Sequence, residues 1–197
     1  ITAKSGDKYA KQVLSQQRYD SRTIPYRRGE IQDANGNVLA KSEQVYNVVL
    51  DCYAVNGNKE YVEPTVRALV SVLGLDETDI RKRLTSEETK QSQYQVLKRE
   101  VSITDKKKFE EYASPSDRKQ FTKEALEERD NIQGVWFESY YIRKYPMGTM
   151  ASNVVGFSNT ANDGACGLEA YYTDVLNGVN GREYGYLNED SELQKTV

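Results

Sequence analysis

Arg27-Arg28-Gly29-Glu30-Ile31-Gln32-Asp33-Ala34-Asn35-Gly36-Asn37-Val38-Leu39-Ala40 is the stretch whose reading decides the fold. It reads as a strand, a tight turn and a returning strand. Asn35-Gly36 supplies the turn, because both residues tolerate the positive φ that hairpin turns demand. Asp33, two residues earlier, is placed for its carboxylate to accept the turn N–H groups. Val38 and Leu39 lead into Val45-Tyr46-Asn47-Val48-Val49-Leu50, the most β-prone run in the chain. So polar a hairpin is not stable alone in water, and the rest of the chain must pack against it.

Outward from the hairpin, residues 2–21 read as a polar helix with Tyr9, Val13, Leu14 and Tyr19 as its sparse apolar positions, ended by Pro25. After Asp51 and the turn-rich Asn56-Gly57-Asn58, the residues Val62, Val66, Leu69, Val70 and Leu73 fall at helical spacing. Pro64 is expected in the first turn of that helix and Gly74 just past its end. A second short helix is expected over 76–85. Residues 76–130 hold 13 positive and 14 negative charges, and this balance indicates solvated helix faces rather than a binding patch. Within them, 94–102 reads as a strand, 104–112 as a helix capped by Thr104, and 116–130 as a further helix.

Residues 134–143 make a long aromatic strand, punctuated by Pro146 and Gly148. Val154–Phe157 reads as a short strand and 162–164 as a turn. Residues 167–177 read as a helix with Leu168, Tyr171, Tyr172, Val175 and Leu176 facing inward, and 182–187 as a returning strand. The expected fold class is α+β. A core mixed or antiparallel sheet forms from the hairpin, the aromatic strand and the C-terminal strand, backed by the 167–177 helix. The expected domain organisation is a linker helix over 1–23, a core from 24–58 and 131–197, and an inserted α/β lobe over 59–130.

The chain has 197 residues and a net charge of −3, so no global field draws in nucleic acid. No apolar run approaches the length of a membrane span. There is no histidine, which excludes Ser-His and Cys-His nucleophilic pairs and every His-containing metal site. Cys52 and Cys166 cannot form a zinc cluster alone and read as two free thiols.

Serine activated by lysine needs no histidine, and Ser-x-x-Lys occurs at Ser5/Lys8 and Ser116/Lys119. Both lie in polar, exposed-looking helices without a Ser-x-Asn or Lys-Thr-Gly companion, so neither is read as catalytic. The neighbouring carboxylates Glu127/Glu128 and Glu189/Asp190 lack a desolvating pocket and read as surface charge. Gly164-Ala165-Cys166-Gly167 lacks the glycine spacing and lysine of a phosphate cradle and reads as a loop and cap. No catalytic residue, metal site or cofactor is expected.

Three stretches in order resemble the N-terminal pedestal, or dimerisation, module of class B penicillin-binding proteins. Arg28 to Ala40 is similar to the family's R-G-x-I-x-D-R-N-G-x-x-L-A. Arg143-Lys144-Tyr145-Pro146-Met147-Gly148 through Gly156 is similar to R-x-Y-P-x-G-x-x-A-x-H-x-x-G. Gly164 through Gly181 is similar to G-x-x-G-L-E-x-x-Y-x-x-x-L-x-G-x-x-G. Ala34 stands where the family carries arginine and Asn153 where it carries histidine. The residues that carry the resemblance are Arg28, Gly29, Asp33 and Gly36 in the first stretch. In the second they are Arg143, Pro146, Gly148 and Gly156, and in the third Gly164, Gly167 and Glu169.

The resemblance implies a non-catalytic stalk of a cell-wall D,D-transpeptidase on the extracytoplasmic face of the bacterial membrane. A transmembrane helix would precede Ile1, and the transpeptidase domain with its serine nucleophile would follow Val197. It implies as partners a polytopic membrane glycosyltransferase or other elongation or division proteins, with a homodimer possible and no nucleic acid. Arg28 is expected to pair with Glu169, and Asp33 with Arg143, where the motifs meet. The alternatives are an unrelated extracellular α+β domain that binds a protein or glycan through tyrosine-rich strands, and a Ser-Lys acyltransferase.

Overall fold

Asp33 closes the hairpin much as its position dictates. Strand β2 (Ile31–Gln32) pairs antiparallel with the start of β3 (Val38–Leu50), Ile31 opposite Ala40 and Gln32 opposite Val38. The Asp33 carboxylate accepts from the backbone N–H groups of Asn35 and Asn37 and from the Asn37 side-chain amide, each at 2.8 Å. These bonds favour the ionised form and hold its carboxyl below the usual carboxylate value.

The computed structural model describes residues 19–148, 152–159, 163–187 and 193–195. They belong to two compact units, one of Ile1–Lys41 with Tyr145–Val197, the other of Ser42–Lys144. Helices, antiparallel sheets and irregular connections together make an α+β protein. Among the described residues no helix is long and apolar enough to cross a membrane.

In the second unit, β3 pairs with β4 (Gln95–Val101) and with β5 (Val135–Lys144). Helices α1 (Cys52–Asn56), α2 (Lys59–Leu73), α3 (Glu77–Thr85) and α4 (Ile103–Ala113) supply the rest of the core. Val66, Leu69 and Leu73, spaced by three and four residues, bury one face of α2 against Val48, Leu50 and Val55. Phe137 of β5 meets Phe109 and Tyr46 edge-on, with ring centroids 5.6 and 6.5 Å apart. Burial and the neighbouring Asp51 push the thiol of Cys52 upward, and both cysteines are free.

Four expectations shift here. Helix α2 begins at Lys59, so Pro64 lies in its second turn rather than its first. Ser102, not Thr104, caps α4, its hydroxyl accepting from the Asp105 N–H at 3.1 Å. The turn-rich gap after Asp51 contains α1, because the Asp51 side chain caps it. The helix expected over 116–130 is a 3-10 turn, Arg118–Gln120, followed by α5 (Lys123–Asp130), since Thr122 starts a new helix by capping Ala125.

In the first unit, β1 (Tyr19–Ile24) pairs antiparallel with β6 (Gly181–Leu187), which pairs in turn with β7 (Leu193–Lys195). The C-terminal strand therefore belongs to this three-stranded sheet and not to the one holding β3. The polar helix expected over 2–21 is corrected at its end, where residues 19–21 are strand. Pro25 favours extended backbone just before it, and β6 supplies the ladder partner. Its other residues lie outside the described ones, as does Asn162 of the expected 162–164 turn.

Val154–Phe157 is not a strand: α6 (Ser152–Val155) forms there and ends at Gly156, whose N–H reaches the Ser152 carbonyl at 2.8 Å. The 167–177 helix is two short ones, α7 (Gly167–Tyr171) and α8 (Thr173–Leu176). Tyr171 and Val175, expected to face inward, are 80% and 79% exposed.

Candidate functional site

Arg28 and Glu169 are the largest wholly buried side chains among the described residues of the first unit. Burying two charges costs several kcal/mol per ion and is repaid only where hydrogen bonds satisfy both groups. Here they do. Arg28 Nε donates to Glu169 Oε2 at 2.8 Å, and Nη2 donates to the Glu169 backbone carbonyl at 2.7 Å. Nη1 donates to Thr173 Oγ1 at 3.2 Å and to Asn177 Oδ1. A planar guanidinium fork reaches these acceptors together; a lysine ammonium would not.

The other two segments close around this pair. Next to Arg28, the Gly29 N–H donates to the Leu176 carbonyl at 2.8 Å. Tyr145 Oη accepts from the Ser158 N–H at 2.9 Å and lies 3.5 Å from Glu169 Oε1. Tyr26 N–H donates to Asn180 Oδ1 at 3.0 Å. Backbone approaches are close enough to require glycine. A Cβ on Gly156 (φ +73°) would stand 2.0 Å from the Cys166 carbonyl oxygen, and one on Gly164 would stand 1.9 Å from that of Glu169. Gly167 packs back on the Val154 carbonyl in the same place.

The remaining motif residues work elsewhere. Asp33 and Gly36 build the hairpin turn. Pro146 and Gly148 sit in a turn closed by the Gly148 N–H on the Tyr145 carbonyl at 3.0 Å. Arg143 lies in the second unit, where its Nη1 donates to the buried Ser42 hydroxyl at 3.2 Å. The expected Asp33–Arg143 couple is corrected: the Asp33 carboxylate is engaged within its own turn.

Thr173, Asn177 and Asn180 of the junction are not singled out in the sequence, whereas Tyr145 stands in its second motif. A signal for two of them is present, since Glu169, Thr173 and Asn177 recur every four residues, the spacing of one face in the continuous helix expected there.

Two amides of the Gly164–Gly167 loop are spent internally, Gly164 N–H on Thr173 Oγ1 at 3.2 Å and Ala165 N–H on the Phe157 carbonyl at 2.8 Å. Of the two Ser-x-x-Lys sequences, Ser5/Lys8 lies outside the described residues. The Ser116 hydroxyl donates to Glu111 Oε2 at 2.6 Å. Glu128 pairs with Arg67, as a surface charge would, and Glu189/Asp190 lie outside the described residues. Among the described residues no group of His, Cys, Asp or Glu is gathered as metal ligands.

The profile of the penicillin-binding protein dimerisation domain family matches residues 23–197. Stage V sporulation protein D of Bacillus subtilis is 32% identical over 164 residues, covering 82% of this chain and 22% of that protein. Penicillin-binding protein 3 of the same organism is 26% identical, covering 87% of this chain and 25% of its own length. Peptidoglycan D,D-transpeptidase MrdA of Escherichia coli K12 is 25% identical, with 82% and 26% covered. The chain thus spans about a quarter of the length of the curated relatives it matches. Among solved structures, penicillin-binding protein 2X of Streptococcus thermophilus superposes with a TM-score of 0.59 at 23% identity. The match covers 89% of this chain and 26% of that one, and it is a likeness of fold.

Proposed function

This chain belongs to the penicillin-binding protein dimerisation domain family, and from that premise we propose that it is the non-catalytic scaffold and interaction module of a peptidoglycan D,D-transpeptidase. It holds a transpeptidase domain carried elsewhere in the parent protein at a fixed orientation on the extracytoplasmic side of the bacterial membrane. In that position it contacts proteins of the cell-wall machinery, a membrane glycosyltransferase of elongation or division foremost, or a second copy of itself.

The observation that supports this reading is the junction: three separated segments meet on one buried, hydrogen-bonded Arg28–Glu169 pair. A buried ion pair adds little net stability compared with apolar packing, yet it admits one geometry and penalises the others. That property suits a spacer whose task is to hold direction.

The test uses the full-length parent carrying Glu169→Ala. A fluorescent β-lactam acylates the parent's serine as before, while the variant fails to replace the wild-type gene in supporting cell-wall growth. Full complementation by a variant whose melt shows the junction lost contradicts the scaffold role. A covalent β-lactam adduct on the isolated chain contradicts the assignment of chemistry to another domain.

A further inference from the structure

Helices α4 and α5 of the second unit border a groove of about 620 Å³ that the proposed role does not use. Ile103 and Phe121 line it while remaining 47% and 37% exposed, and Pro115 is buried beneath. One wall is prearranged. The Arg129 guanidinium stacks on the rings of Tyr112 and Phe121, 4.4 and 4.3 Å from their centroids, and donates to the Tyr112 backbone carbonyl.

The rim carries cations. Lys107, Lys108 and Arg129 line the groove against a single carboxylate, Glu111, in a chain whose net charge is −3. That carboxylate is already occupied, accepting the Ser116 N–H at 2.8 Å and its hydroxyl at 2.6 Å. Lys108 makes a long, exposed contact of 3.3 Å with Asp105, and among the described residues Lys107 has no anionic partner. Ile103, Lys107 and Glu111 follow one another every four residues along α4, so apolar and charged groups share one face.

We propose that this groove is a docking site for an acidic peptide segment of a partner protein, its apolar or aromatic side chain seated against Ile103 and Phe121 and its carboxylates on Lys107 and Lys108. An apolar floor supplies the anchor, and the positive rim selects the sign of the flanking charge. The volume lies in the range that encloses a few side chains rather than a whole helix.

A random-peptide library panned on this chain tests the proposal. The expected consensus places Asp or Glu beside Leu, Phe or Trp, and the synthetic consensus peptide shifts the amide resonances of Ile103, Lys107 and Phe121. Its binding falls at least about tenfold on the exposed double change Lys107→Glu/Lys108→Glu, whose melting temperature stays that of the wild type. It falls likewise on Phe121→Ala. Recovery of no peptide, a consensus without acidic enrichment, or equal binding to the double variant overturns the proposal. Binding to phosphatidylglycerol vesicles in place of any peptide, or self-association that the double variant abolishes, overturns it in favour of a membrane or a second copy.

Discussion

Arg28 is the residue on which the first unit is organised, and its energetics follow from what surrounds it. Its partners are fixed acceptors, and removing the Glu169 carboxylate takes an anionic partner from a buried guanidinium. Glu169→Ala is expected to cost about 3–5 kcal/mol in urea unfolding. The double change Arg28→Met/Glu169→Leu is expected to cost less than the two single changes added together, because neither charge is then stranded. This pair was legible in the sequence through its motifs. The Asp33–Arg143 couple was misread because a short carboxylate beside Asn35 and Asn37 finds its donors locally. The same bonds set a pH dependence. The Asp33 carboxyl titrates lower folded than unfolded, so its contribution is present above the ordinary value near 3.8 and is lost as pH falls through the folded value. A carboxyl-carbon NMR titration is expected to place its midpoint below 3.8, and Asp33→Asn to weaken the acid sensitivity of unfolding.

Individual elements were legible where their caps and periodicity agree. Helix α2 shows both: Asn58 caps it, Gly74 ends it in the left-handed conformation and its apolar stripe is buried. Asn58→Ala is expected to lower stability by about 1 kcal/mol in thermal melts. Short apolar runs carry no such agreement. Val154-Val155 fits strand or helix equally, and the close packing of Gly156 against the Cys166 carbonyl decides it. The 167–177 segment was misread on its inner face for a related reason. The chain breaks at Tyr172, and the side chain it buries is Glu169, which apolar periodicity does not count. The glycines separate by the same reasoning. Gly36 (φ +83°) has open space around its missing Cβ, so Gly36→Ala is expected to cost only the about 1–2 kcal/mol of left-handed backbone. Gly156→Ala must also displace backbone and is expected to cost several times more, by equilibrium unfolding of both variants.

For the whole molecule, turn signals in the sequence bound a lobe over 59–130, whereas the compact units divide at Lys41/Ser42 and Lys144/Tyr145. Turn residues mark chain punctuation, but the boundary follows burial: Tyr46, Val48 and Leu50 of β3 and Phe137 of β5 pack with the helices of the second unit. Pattern along one chain does not reveal which strands share a core. The motifs, by contrast, pointed to residues far apart in sequence, and Arg28 meets Glu169 across 141 positions. The account stands on these segments forming one cooperative lock. Hydrogen exchange of the Glu169→Ala variant, with the α2 amides as reference, tests it directly. Protection is predicted to fall together at the amides of Gly29, Ser158 and Gly164 and through Gly167–Leu176. A loss confined to Gly167–Tyr171, with the amides of Gly29 and Ser158 still protected, would contradict it.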